Sequence, residues 1–184
     1  MKIKVLASSS SGNCYLMQSG GINFLLDCGI KKNELIAKLA QEKLTIADID
    51  FCLISHEHND HSVLSDYLSN FMSVYSCYNS EYVKKIDSNK LLKLGSIRII
   101  PFNVKHGKTE NYGYIINDGI DNLLFATDCN LIEYNFSIPF TKVMEFLLSI
   151  MQKAGPAVTS IINGLGRAFK FLIDSIGKAL GTGG

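Results

Sequence analysis

The segment ISHEHNDH, residues 54–61, constrains the fold of this chain more than any other feature. It follows an apolar run that predicts a buried strand, and it holds three of the four histidines. On an extended strand end, His56 and His58 point the same way, so both imidazoles can bind one metal ion. Asp60 and His61 follow as the chain turns and offer a carboxylate and an imidazole to a neighbouring position. Because four such side chains beside a buried strand need compensation for lost hydration, the segment predicts a metal site on a loop rather than a solvated polar turn.

Length and composition indicate one globular domain with room for an appendage. The chain has 184 residues, 47% of them hydrophobic, which is enough for one buried core but cramped for two. Its formal net charge of +1 provides no broad basic field, so a nucleic-acid substrate would have to be held locally. No apolar run reaches the ~18 residues of a membrane-spanning helix.

Cysteine usage and the amino-terminal sequence predict a cytoplasmic protein with reduced thiols. The cysteines are odd in number and form no CxxC pair, and MKIKVLASSS lacks the long apolar core and cleavage site of a signal peptide. Most of them lie in or beside apolar runs, where cysteine is typically a small buried hydrophobe rather than a nucleophile. The five are Cys14, Cys28, Cys52, Cys77 and Cys129.

Residue patterning predicts an α/β chain whose sheets are at least partly antiparallel. Turns at 19–21 and 118–119 indicate hairpins, and a helix is expected over 33–43 with Asn33 as its N-cap. Further helices are expected over 63–71 and 80–86. Strands are predicted over 2–7, 14–18, 22–27, 51–54, 73–77, 96–104, 112–117 and 122–127.

The composition changes near residue 137 and predicts two domains, 1–136 and 137–184. Thirteen of the fourteen asparagines precede this boundary, whereas seven of the fifteen glycines fall in the last 30 residues. Apolar residues at three- and four-residue steps predict helices over 141–154 and 157–180, the second with a basic opposite face. This tail is consistent with a helix pair packed on the first domain, a helix bound at a membrane surface, or a self-association or partner helix.

The histidine segment has the pattern HxHxDH, and four other stretches accompany it in order: SSSSGNCYLM, NFLLDCG, VKHGKTENYGYII and LLFATDCN. Together they resemble the metallo-β-lactamase superfamily of metal-dependent hydrolases, and in particular its small exonuclease- or phosphodiesterase-like members. The resemblance covers residues 1 to about 130. It implies an αββα sandwich, an α+β arrangement in which two sheets pack between helices.

The resemblance also assigns roles by position. The first metal would be bound by His56, His58 and His106, and the second by Asp60 and His61, with Asp128 bridging the two. Asp27 resembles the buried carboxylate that orients the ligands of the family's metal site. Imidazole and carboxylate ligands without thiolate suit one or two Zn²⁺ ions, with Mn²⁺ as a substitute.

The chemistry implied by the resemblance is hydrolysis of a phosphodiester, in a nucleic acid or a nucleotide, by a metal-bound hydroxide. Asp60 would be catalytic, because it is placed to orient that hydroxide or to accept its proton. Ser10, Ser11 and Asn13 either donate hydrogen bonds to a substrate phosphate or are ordinary turn residues.

The chain departs from the family after Asp128. Members continue to a last histidine that completes the second metal site, but no histidine follows His106 here, and resemblance ends near residue 137. We therefore expect a domain incomplete in its C-terminal half and joined to an unrelated helical tail. The second metal would lack one imidazole and bind more weakly.

The leading function is a metal-dependent hydrolase, a phosphodiesterase or nuclease. The alternative is a catalytically impaired metal-binding fragment whose tail serves assembly or membrane-surface binding.

Overall fold

The structure is a computed structural model, and it describes residues 1–128. The predicted helical tail, Cys129 and the domain boundary at residue 136 lie outside these residues. In the described part, no helix is long and apolar enough to cross a membrane.

A six-stranded sheet, called here the first sheet, forms from the amino-terminal part of the chain. Its strands follow one another in chain order, β1 to β6. They are β1 (Lys2–Ser9), β2 (Gly12–Ser19), β3 (Ile22–Leu26), β4 (Phe51–Leu53), β5 (Ser73–Ser76) and β6 (Lys84–Lys85). The first three pair as antiparallel hairpins, whereas β3 to β6 are parallel. Because β3, β4 and β5 run the same way, the loops that leave their carboxyl ends meet at one edge.

A four-stranded antiparallel sheet, the second sheet, forms from residues 92–125. Its order is β10-β9-β8-β7. The strands are β7 (Leu92–Leu94), β8 (Ile97–His106), β9 (Thr109–Asn117) and β10 (Asn122–Phe125). The long hairpin of β8 and β9 pairs continuously from Arg98 with Asn117 to His106 with Thr109. His106 therefore lies at the tip of this hairpin.

Two buried clusters show how the layers stack. Along β2 to β5, successive side chains point to opposite faces, so each strand contributes to both clusters. One cluster packs the first sheet against α1 (Lys32–Gln41) and α3 (Ser65–Ser69), and the other packs it against the second sheet. A short helix α2 (Asn59–Ser62) and a 3₁₀ turn (Ile46–Asp48) complete the described elements. The predicted α+β fold with packed sheets is confirmed, and the described residues form helix, sheet and sheet layers.

Four local predictions were wrong. No helix forms over 80–86, where the chain instead adds the edge strand β6. The helix expected over 63–71 is shorter, because only α3 forms within that range. The separate helix α2 lies before it and takes in Asp60 and His61, so the metal-site segment is only partly a loop. Asn33 lies inside α1, whose N-cap is Lys31. β7 was not foreseen. The four described cysteines are buried and unpaired.

Candidate metal centre

The carboxyl ends of β3 and β4 place Asp27 beside the histidine segment. The backbone N–H of Asp27 donates to the Leu53 carbonyl at 2.8 Å, and the backbone N–H of Ser55 donates to Asp27 Oδ1 at 2.7 Å. Asp27, Ser55 and His56 are all completely buried. The parallel register of β3 and β4 therefore fixes the position at which the histidine segment begins.

The second sheet supplies the remaining predicted ligands. His106 ends β8, and Asp128 follows β10. Two hydrogen bonds join the sheets behind them: the Tyr112 N–H donates to the Ser55 carbonyl at 2.9 Å, and the Tyr114 hydroxyl donates to the Ile54 carbonyl at 2.6 Å. The predicted ligands from the two sheets therefore lie together at one end of the molecule's packed sheets.

The first ligand group contains His56, His58 and His106, whose ring nitrogens lie within 4.8 Å of one another. His58 Nδ1 is 3.0 Å from His56 Nε2 and 3.4 Å from His106 Nε2. The far side of two rings is occupied: Ser55 Oγ lies 3.0 Å from His56 Nδ1, and Thr109 Oγ1 lies 3.3 Å from His58 Nε2. With the ring protons on the nitrogens that face these hydroxyls, His56 Nε2 and His58 Nδ1 are free to bind a metal.

The second ligand group contains His56, His61 and Asp128, also with ligand atoms within 4.8 Å. His61 Nε2 lies 3.4 Å from Asp128 Oδ2 and 3.3 Å from Asp60 Oδ2. The same Asp128 oxygen is 3.9 Å from His56 Nε2 and 3.8 Å from His106 Nε2. One carboxylate oxygen therefore borders both groups, which is the position that a bridging ligand requires.

Asp27 orients His61 from behind. Asp27 Oδ2 accepts a hydrogen bond from His61 Nδ1 at 2.8 Å, with both side chains completely buried. Burial by itself lowers the pKa of His61, but the hydrogen bond and negative charge of Asp27, with Asp128 and Asp60, outweigh it and raise the pKa. The proton is thereby held on Nδ1, and Nε2 faces the cluster of carboxylates.

His56 is prepared as a neutral ligand. Burial, followed by the neighbouring His61, His58 and His106 rings, lowers the pKa of His56 to about 4. Near neutral pH its imidazole is therefore neutral, which is the protonation state that binds a metal ion.

The backbone near the predicted ligands is unusual at two carboxylates. Asp27 has a φ of 57° and Asp128 a φ of 49°, the left-handed region that aspartate and asparagine tolerate better than most residues. Gly29 shows a second kind of constraint: a Cβ there would lie 1.7 Å from the Asp60 carbonyl oxygen. Only a glycine lets the loop after β3 approach the histidine segment so closely.

Of the three predicted phosphate contacts, Asn13 is buried and the two serines are exposed. The Asn13 amide nitrogen donates to the Ser9 carbonyl at 3.1 Å and to the Asp60 carbonyl at 3.4 Å, and it lies 3.2 Å from His61 Nε2. It therefore ties the β1–β2 turn to the histidine segment. Ser10 and Ser11 line a cleft beside Asp60. The phosphate contacts stay predictions.

Two residues that hold the site were missed by sequence reasoning. Ser55 contacts the rings of both His56 and His61, the latter at 3.3 Å between Ser55 Oγ and His61 Nδ1. Its place immediately before the first histidine was a usable signal. Thr109 begins β9, beside the β8–β9 turn, and its hydroxyl faces His58. Because 51 positions separate the two residues, the sequence held no local signal of this contact.

The donor set fits a divalent metal. Six predicted ligands gather around two overlapping groups, with imidazole nitrogens and carboxylate oxygens and no cysteine sulfur among the ligands. Such nitrogen and oxygen donors suit Zn²⁺, and also Mn²⁺. Their roles as metal ligands remain predictions from the resemblance and from this geometry.

A family model described as the metallo-beta-lactamase superfamily matches residues 9–142, well over half of the chain. The chain therefore belongs to the metallo-β-lactamase superfamily. Among curated proteins, it is similar to exodeoxyribonuclease WalJ from Streptococcus pneumoniae strains D39 and R6, with 32% identity over 122 residues. That alignment covers 57% of this chain and 45% of either relative, so the chain spans less than half the length of these relatives.

Solved structures with the same fold include two of different origin. The metallo-β-lactamase fold protein YhfI from Bacillus subtilis is 21% identical, with a TM-score of 0.52, covering 66% of this chain and 60% of that one. A metallo-β-lactamase from Cronobacter sakazakii with a HARLDQ motif is 12% identical, with a TM-score of 0.55 and coverages of 70% and 66%. At these identities the likeness shows the fold alone.

Proposed function

We propose that this protein is a metal-dependent phosphodiesterase that hydrolyses DNA. The observation that carries the proposal is the pair of overlapping ligand groups, which share His56 and are both bordered by one oxygen of Asp128. Membership of the superfamily supports a metal-dependent hydrolase in general. The name of the WalJ relatives supports deoxyribonucleic acid as the substrate class.

The number of metal ions that the site could hold follows from its donor atoms. His56, His58 and His106 with Asp128 would hold one Zn²⁺, a complete tetrahedral set. Asp60, His61 and Asp128 would hold a second ion with a single imidazole, one short of the set that the family resemblance implies, so that ion is expected to bind more weakly. When bound, such ions polarise a phosphoryl oxygen and lower the pKa of a water molecule.

The protein's own residues then have separable tasks. Asp60 is the candidate catalytic residue, because its half-buried carboxylate is 3.3 Å from His61 Nε2 and can orient an attacking water or accept its proton. Asp27 and Ser55 are positioning residues that hold the His61 ring. Because His56 and His61 are buried whereas His58 is exposed, substrate approaches from the His58 side.

The proposal is tested with the purified 184-residue chain loaded with Zn²⁺ or Mn²⁺. Hydrolysis of bis-p-nitrophenyl phosphate and of a single-stranded oligodeoxynucleotide is expected for the native chain. His58→Ala should abolish both activities, whereas Lys93→Ala, on strand β7 of the second sheet, should leave them unchanged. Equal inertness of the native chain and His58→Ala would refute the enzyme proposal.

Metal content, measured together with hydrolysis, separates the enzyme from a non-catalytic metal-binding protein. Inductively coupled plasma mass spectrometry should find at least one ion per chain, and less in His56→Ala. Bound metal without hydrolysis of either substrate would favour the alternative, a catalytically impaired metal-binding fragment whose tail serves assembly or membrane-surface binding. No bound metal would contradict both.

A further inference from the structure

A cleft of about 580 Å³ opens beside the candidate catalytic residue. It lies between the β1–β2 turn, the loop after β3, the start of α1 and the first residues of α2. Asp60 belongs to both the cleft and the candidate metal centre, so the two sites are adjacent. Its volume falls within the range of about 300–1,000 Å³ that is typical of ligand sites. Polar lining residues away from the ligand groups are Ser9, Ser10, Ser11, Lys31, Glu34 and Asn59.

Lys31 is the cation of this cleft. Its side chain is exposed, and no carboxylate of residues 1–128 forms an ion pair with it. Neighbouring lysines are engaged: the Lys32 ammonium lies 4.2 Å from the centre of the Tyr67 ring, and Lys38 pairs with Glu34 at 3.8 Å. Lys31 therefore keeps its full charge available for an anion that enters the cleft.

The remaining lining residues suit a sugar-phosphate backbone better than bases. Ser10 and Ser11 place two exposed hydroxyls on the turn, and Ile30 and Val63 provide apolar surface for a sugar. No aromatic ring lines the cleft among the described residues, so it has no platform on which a base could stack. Contacts of this kind hold a strand without regard to its sequence.

We propose that this cleft binds the sugar-phosphate backbone of a DNA strand next to the phosphodiester that is cleaved, with Lys31 contacting a phosphate. The proposal rests on the proposed function and extends it, because it gives the substrate a path across the surface. Glu34 acts against the phosphate within the same cleft, and its pairing with Lys38 reduces that repulsion. Asp60, which also lines the cleft, is a predicted metal ligand, so Lys31 and Glu34 are the pair that allows a test with changes of opposite sign.

The test measures binding of the metal-loaded 184-residue chain to a single-stranded oligodeoxynucleotide with phosphorothioate linkages that resist hydrolysis. Fluorescence anisotropy is recorded over a series of salt concentrations. Lys31→Gln should weaken binding about fivefold at low salt and reduce the slope of log affinity against log salt by about 0.7. Glu34→Gln should tighten binding, and Lys93→Gln should leave both quantities unchanged.

A small substrate separates the cleft from the metal centre. Bis-p-nitrophenyl phosphate carries no neighbouring phosphate, so Lys31→Gln should hydrolyse it at the native kcat/KM. An equal loss on this substrate, or an unchanged salt slope with DNA, would overturn the proposal for Lys31. Absence of DNA binding by the native chain would also overturn it. Binding with the predicted Lys31 effect but without any hydrolysis would uphold the cleft and refute the phosphodiesterase.

Discussion

Replacing Asp27 by asparagine tests how the buried carboxylate sets the metal affinity of His61. Asparagine is nearly isosteric and tolerates the φ of 57° at this position. Asp27 now accepts two hydrogen bonds, from the Ser55 N–H at 2.7 Å and from His61 Nδ1 at 2.8 Å. An asparagine has one acceptor oxygen, which the Ser55 N–H requires, so its NH₂ group faces His61. The His61 proton must then move from Nδ1 to Nε2, the nitrogen that faces the metal position.

The expected loss is in metal binding more than in folding. Replacing the partner that orients a ligating histidine typically lowers metal affinity about 10- to 100-fold, or roughly 1.4–2.7 kcal/mol. The lost hydrogen bond to a charged group contributes about 1.5–3 kcal/mol, but the variant no longer buries a carboxylate charge, and the two effects oppose each other. We expect the free energy of unfolding without metal to change by less than about 2 kcal/mol.

Two measurements separate these quantities. Chelator-competition titration gives the affinity of each ion, and denaturant unfolding in the presence of excess chelator gives the stability of the metal-free chain. Asp50→Asn is the matched control, because Asp50 also accepts a backbone hydrogen bond, from Asn23 at 2.8 Å, at the opposite end of β3. Native affinity for both ions in Asp27→Asn would refute the role assigned to the Asp27–His61 pair.

Three further predictions concern different parts of the structure. Gly29→Ala should displace the Asp60 backbone, because the added Cβ would overlap its carbonyl oxygen; circular dichroism should show a folded but destabilised chain, with hydrolysis lost. Thr109→Val should remove the 3.3 Å contact with His58 and weaken the first ion up to about tenfold, read by chelator competition. Burial raises the pKa of Asp118, but hydrogen bonds from the Ser19 hydroxyl and from backbone N–H groups outweigh it and hold that pKa well below its usual range. The resulting stability is present above the ordinary pKa of about 3.9 and is lost as pH falls toward the folded value, so urea unfolding should show Asp118→Asn destabilised at pH 7 and the difference shrinking below about pH 4.

The parts of the fold that were predicted are those with a strong local pattern. Alternation and glycine turns located the strands of both hairpins, and the apolar run before residue 54 located β4. Local pattern failed over 80–86 because β6 pairs through only two residues, and its position depends on the neighbouring strand β5 rather than on periodicity. Asn33 failed as an N-cap because α1 begins one residue earlier, at Lys32, with Lys31 in extended conformation.

In the candidate site too, residues close in sequence could be predicted from local pattern, whereas distant ones could not. The three histidines after β4 are close in sequence, so their chemistry could be inferred directly. His106 and Asp128 reach the site through the second sheet, and only the resemblance to a family assigned them, since no local pattern encodes a contact 48 positions away. The contacts of Asn13 and Thr109 with the histidine segment depend on how distant parts of the chain pack, and no local sequence pattern encodes them.

The spacing of the ligands along the chain also affects what metal does to folding. His56, His58, Asp60 and His61 lie within six residues, so an unfolded chain still presents them together. Any ion bound there is bound in both states, and a ligand stabilises a protein only by its preference for the folded one. If the predicted ligands bind metal, the gain in melting temperature on adding metal should therefore report mainly on His106 and Asp128, which join the others only when the two sheets meet. A chain that binds metal early in folding would hold the ion on the six-residue segment 56–61 before the rest of the site forms.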